Sequence, residues 1–261
     1  MSKKKGHYYI NAKINGNDES RILLASSISG LIVSEESFNK LFNESQFEVI
    51  ETKNHQLGNV NITKTLRGSI SIGDLEYSGR IIVVDEYDCV VVPVQWLKNN
   101  VDADANLVSL DFKKKTLDFI KPCDVDTIKM HHFNISNYVP APAFETTLVI
   151  NDGIEHDGEM TGKFTFDLGN GTPLFLFSRN NETVKFIKNN KLKRLPASDK
   201  SGNYVGQGIY AGFCQLGEKV IRDASVGIIR EVNIPGISGC VGPSMFNKIV
   251  IDTASSLLYY E

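Results

Sequence analysis

The sequence predicts an all-β protein of two lobes, each a closed or nearly closed β-barrel, related by pseudo-twofold symmetry and carrying few, short helices. Three observations predict it. Runs rich in Val, Ile, Phe and Tyr are broken by Gly, Asn and Asp at strand-like intervals. Helical periodicity is scarce. Most tellingly, the chain repeats itself in order at offsets of 141 to 144 residues, a period far too long for a solenoid and suited to domain duplication.

The repeat is carried by three matches. Arg21-Ile-Leu-Leu-Ala-Ser-Ser-Ile-Ser-Gly30 answers to Lys163-Phe-Thr-Phe-Asp-Leu-Gly-Asn-Gly-Thr172. Ser71-Ile-Gly-Asp-Leu-Glu76 answers to Gln215-Leu-Gly-Glu-Lys-Val220, and each holds a hairpin-type turn, Gly73-Asp74 and Gly217-Glu218. Val108-Ser-Leu-Asp111 answers to Ile249-Val-Ile-Asp252, an apolar strand ending in Asp before a polar turn. Residues 7–120 therefore form the first lobe and 145–261 the second. Residues 121–144, with Pro122, Pro140 and Pro142, read as a connector. One helix is expected after Ser34, with Glu35 and Glu36 in its first turn and Phe38, Leu41 and Phe42 on one face. A second is expected from Asn181 through Phe186 and Ile187.

Composition narrows the function classes. A net charge of −3 gives no basic footprint, so nucleic acid is not an expected partner. No apolar run approaches the roughly 20 residues of a membrane helix. Met1-Ser-Lys-Lys-Lys-Gly6 leads directly into His7-Tyr-Tyr-Ile10 without the apolar stretch of a signal peptide. The compartment stays open: cytoplasmic as the chain stands, periplasmic or exported if a leader has been removed. Cys89, Cys123, Cys214 and Cys240 are widely spaced and read as small buried residues. His131 and His132 point to opposite sides of an extended segment, so they do not share a metal. No metal and no cofactor are expected.

The second lobe carries the chemically suggestive motif. Phe164-Thr-Phe166 runs into Asp167-Leu168-Gly169, then Asn-Gly-Thr, then the apolar stretch Leu174–Phe177. Downstream lie Gly239-Cys-Val-Gly242 and Pro243-Ser-Met-Phe246. This frame resembles the Asp-Thr/Ser-Gly signature of retropepsin-like and pepsin-like aspartic peptidases, in the two-lobed single-chain arrangement of bacterial relatives. The resemblance implies a cleft between lobes with one aspartate from each. The pair shares a proton, so that one carboxylate acts as base on a bound water while the other donates to the scissile carbonyl. It also implies that the residue after each Asp hydrogen-bonds across the lobes, and that glycine lets the backbones approach.

Against that pattern the first lobe reads as departing throughout, with Ala25-Ser26-Ser27 in place of the motif and Pro93 where the second lobe has Gly242. Ser27 is expected to crowd the loop. In the second lobe Leu168 replaces the hydroxyl residue. A single substitution at Ala25 would account for one departure and not the other three. The expected protein is therefore aspartic-peptidase-like but catalytically inactive, its interlobe cleft open to a peptide or protein. The alternative is an active aspartic endopeptidase that pairs Asp167 with a carboxylate from another loop or a second chain. Asp167 also reads as a plain turn acceptor, and Asp111 and Asp252 as structural. Ser26 and Ser27 lack a histidine in their motif and a nucleophile elbow, which disfavours a serine hydrolase. The stretches around His55-Gln-Leu-Gly58 and Lys200-Ser-Gly-Asn203 are candidate flaps over the cleft.

Overall fold

Alternating burial along the strands, as in Asp157–Phe166 where Gly158, Met160, Gly162 and Phe164 turn inward, is the pattern by which this chain builds barrels. A computed structural model of the protein describes residues 1–4, 6–51, 55–57, 60–139, 141–153, 157–192, 194–198, 204–230, 232 and 234–261. The second barrel closes on itself. From Ala143–Asn151 it passes through Asp157–Phe166, Gly239–Val241, Leu174–Phe177, Lys219–Ile229 and Tyr204–Leu216, which pairs back onto Ala143–Asn151. The first barrel follows the same order from His7–Lys13 to Val60–Ile72. There closure is thinner: a single Ile14–Ile72 bridge, with the Gly73 N–H donating to Lys13 O at 2.8 Å.

The hairpins Val60–Ile72/Leu75–Val84 and Tyr204–Leu216/Lys219–Ile229 are counterparts. Each turns on a glycine in the left-handed region, Gly73 at φ 59° and Gly217 at φ 56°, where a side chain would be strained. The two α-helices among the described residues, Glu35–Leu41 and Asn181–Asn189, begin on side-chain caps. Ser34 accepts from the Ser37 N–H, and Asn180 accepts from the Glu182 and Thr183 N–H groups. A cap of this kind is worth about 1 kcal/mol.

Between the barrels the strands of both lobes join one sheet. Leu107–Asp111 pairs antiparallel with Lys248–Asp252, Ser109 lying opposite Val250 on the symmetry axis. Asp111 Oδ1 accepts from the Lys114 N–H and Asp252 Oδ1 from the Ser255 N–H, so both aspartates close equivalent turns. The segment 121–144 is not a bare connector. It holds the strand His131–Asn137, paired with Leu257–Tyr260, and the strand Ala143–Asn151 begins inside it. Phe133 and Ile135 drive this strand into the core, a period-two signal that the flanking prolines obscure. The His131 ring lies tilted 5.7 Å from that of Tyr260, and the His132 ring tilted 5.9 Å from that of Tyr259.

One apolar core fills the first barrel, around Ile22, Leu31, Phe38 and Leu66. The larger core fills the second and continues across the lobe boundary, taking in Tyr8, Leu24 and Val94 beside Phe166 and Leu168. The expectation of four buried cysteines holds for Cys214 and Cys240 only, since Cys89 is half-buried and Cys123 is exposed. Cys123 lies in a short surface turn, Pro122–Asp124, none of whose residues is buried.

Candidate functional site

Each lobe presents a loop where two parallel strands end together. In the first, Ile22–Ala25 runs beside Val90–Pro93, with Ala25 opposite Pro93. In the second, Phe164–Phe166 runs beside Gly239–Val241, and the Asp167 N–H donates to Val241 O at 2.9 Å. Pro93 then caps the short helical turn Val94–Trp96, and Gly242 caps Pro243–Met245, so the two residues hold like positions. They are not interchangeable. A Cβ on Gly242 would lie 2.1 Å from Thr172 O and 2.8 Å from Asn170 O, because the Asp167 loop folds back onto it.

The two loops touch. Ser26 is fully buried, and its Oγ donates to Phe166 O at 3.1 Å while accepting from the Leu168 N–H at 2.8 Å. The expectation that the first lobe departs at every motif position is therefore corrected at Ser26. A serine hydroxyl both donates and accepts, and here it bridges to the second lobe on both counts. No reciprocal bond comes from Leu168, whose side chain is fully buried in the shared core. Ser27 does more than crowd its loop: its Oγ donates to Asp167 Oδ1 at 2.8 Å. The Gly169 N–H donates to the same oxygen at 2.9 Å. Ala25, 8% exposed, brings only a methyl group.

Supporting groups hold this arrangement. Asn170 donates through Nδ2 to Cys240 O at 3.3 Å and accepts through Oδ1 from the Thr172 N–H and hydroxyl, each at 3.0 Å. Burial, with the nearby Asp167 charge second, pushes the Cys240 thiol up to about 12. Gln95 donates to Ser26 O at 3.2 Å, while its buried Oε1 meets no partner among the described residues. Neither Gln95 nor His7 belongs to a motif that marks it in the sequence. A side chain begun at Gly169 would meet Asp167 Oδ1 at 3.3 Å and His7 Nδ1 at 3.7 Å, so the histidine and the aspartate flank one glycine. They are 160 positions apart, and only the fold brings them together.

Chemically the site offers one carboxylate with a hydroxyl and a backbone N–H on one oxygen. Among the described residues no second carboxylic acid is hydrogen-bonded to Asp167, and no group of three potential metal ligands occurs. Of the candidate flaps, His55–Leu57 forms a strand against Val60–Ile62. Gly58 and Lys200–Asn203 lie outside the described residues.

Two barrels joined by a common sheet, with paired loops meeting at the axis, define the fold of the aspartic proteinases. Among solved structures the chain is similar to the aspartic proteinase from Irpex lacteus, at a TM-score of 0.61 and 12% identity, covering 97% of this chain and 93% of that one. At that identity the likeness is one of fold. No protein-family model matches the sequence, and no curated protein matches it.

Proposed function

We propose that this protein is a catalytically silent member of the aspartic-proteinase fold, whose interlobe cleft binds a peptide or a protein. The observation that carries the reading is the contact between Ser27 Oγ and Asp167 Oδ1. A hydroxyl from the first lobe engages the carboxylate, and the position that would supply the second carboxylate is Ala25. Peptide hydrolysis by activated water needs a base and an acid in one step, and a lone carboxylate serves only one of those roles. Losing one member of such a unit costs several orders of magnitude in rate. An active endopeptidase with a carboxylate drawn from elsewhere has no comparable supporting contact among the described residues.

The Ser26 bridge ties the two loops together and involves no ionisable group. Hydrogen exchange in the presence of a pool of diverse peptides tests the reading. It is expected to slow exchange in the segments 23–30 and 166–172. A pool that leaves both segments unchanged overturns it.

A further inference from the structure

The lobes are not alike in the space between their helix and their hairpin. In the first, Phe42 and Phe47 close the space between helix Glu35–Leu41 and its hairpin. The Phe47 ring packs so tightly that a Cβ on Gly68 would meet it at 2.4 Å. In the second lobe the helix ends on Asn190 instead, followed by Lys191 and Leu192. There an open cavity of about 1470 Å³ lies between helix Asn181–Asn189 and the hairpin Tyr204–Leu216/Lys219–Ile229. Thr172, hydrogen-bonded to Asn170 of the Asp167 loop, stands in its wall, which links the cavity to that loop through one residue.

Its lining has two characters. Phe175, Ile187 and Leu192 give an apolar floor, and Val184 at the side is 44% exposed. Lys188, Lys191 and Arg194 stand around it, and no described lining residue is acidic. Among the described residues none of the three forms an ion pair, and Arg194 makes only a 3.5 Å contact with Gln207 Oε1. In a chain of net charge −3 this is a local reversal of sign, and it stems from a basic run, Lys185 to Arg194, that contains no acid.

We infer that this cavity is the docking site for an acidic peptide segment, one that sets an apolar side chain on the floor and Asp or Glu side chains against Lys188, Lys191 and Arg194. The inference rests on the cleft-binding reading above and names the partner class. Mixed apolar and cationic lining favours such a peptide over a nucleic acid, whose recognition would call for phosphate-tracking cations along a longer surface. Charge complementarity of exposed groups is modest for each contact, screened within about 8 Å at physiological salt, and additive over several contacts to a usable preference.

The test measures fluorescence anisotropy of one apolar-anchored peptide made in matched Glu, Gln and Lys versions. Binding is compared between the natural protein and the variant Lys188→Gln/Lys191→Gln/Arg194→Gln, whose exposed positions leave the core untouched. The Glu version is expected to bind about tenfold more tightly than the Gln version at low salt. That preference should shrink as salt rises and vanish in the triple variant. Equal affinity for Glu and Gln versions overturns the inference and leaves the cleft reading standing. A Glu preference that survives in the triple variant overturns it too, as does tighter binding of an oligonucleotide of matched charge. If no version binds and the hydrogen-exchange experiment is also silent, the cleft reading falls together with it.

Discussion

Ser26 and Ser27 are neighbours, yet their hydroxyls work in different surroundings. Ser26 satisfies two buried backbone groups of the other lobe, Phe166 O and the Leu168 N–H, whereas Ser27 meets a half-buried carboxylate. Removing the first hydroxyl leaves a donor and an acceptor unpaired away from water, at a cost of about 1–3 kcal/mol. Removing the second leaves a carboxylate that water can reach, at a cost below about 1 kcal/mol. Urea unfolding of Ser26→Ala and Ser27→Ala should give that order, and the reverse order would contradict the bridge described for Ser26. Restoring Ala25→Asp alone is expected to give little peptidase activity. Ser27 would still engage Asp167 Oδ1, Leu168 would still lack a hydroxyl and Pro93 would still stand opposite position 25, and Ala25→Asp with Ser27→Gly and Leu168→Thr should give more. Asp167 as an acceptor in its loop and the absence of an ionisable group at Ala25 were legible because residue identity alone states that much. The Ser26 bridge, Gln95 and His7 were not, because each depends on a distance that sequence does not encode.

At the scale of elements, sequence reading did well where local chemistry decides. Gly73-Asp74 and Gly217-Glu218 announced their hairpins, and Ser34 announced a helix start, because turn and cap preferences act over a few residues. It did poorly at His131–Asn137, where Pro122, Pro140 and Pro142 suggested a linker and the strand's partner lies at the far C-terminus. The empty space beside helix Asn181–Asn189 was invisible as well, since it depends on how the helix stands off from the hairpin Tyr204–Leu216/Lys219–Ile229. The glycines of the Asp167 loop give a paired test of the close approach. Gly242→Ala places a Cβ 2.1 Å from a backbone oxygen, while a Cβ on Gly171 would meet nothing within 4 Å. Gly242→Ala should destabilise by roughly 1–3 kcal/mol or more and lower Tm by several degrees, with Gly171→Ala within about 0.5 kcal/mol of the natural chain. Calorimetry that finds the two variants alike would remove the basis for the folded-back loop.

Over the whole molecule, the lobes share a sheet and a core, so they should unfold together. Leu107–Asp111 from one lobe pairs with Lys248–Asp252 from the other, and Tyr8, Leu24 and Val94 pack into the larger core. The single tryptophan, Trp96, reports on the edge of the first-barrel core and its contact with Tyr138, and far-ultraviolet circular dichroism on both lobes. Their urea midpoints are expected to coincide, and two separated transitions would show independent lobes.

The buried thiols give a pH dependence with a definite sign. Burial raises Cys214 and Cys240 from an ordinary value of 9 to about 12. The folded state thus holds protons that the unfolded chain releases, and its stability is intact below pH 9 and falls as pH climbs towards 12. Below pH 9 the native protein should expose Cys123 to a thiol reagent first and withhold Cys214 and Cys240 until it unfolds. That the chain makes two lobes was legible from the repeat; that it makes a silent cleft is a claim about chemistry. The most direct measurement is cleavage of a diverse peptide library by the natural protein from acid to neutral pH, with Asp167→Asn as the control. The account predicts no turnover in either, because Ala25 supplies neither acid nor base. Cleavage by the natural protein that disappears in Asp167→Asn would show that Asp167 has a second acid, and would contradict it.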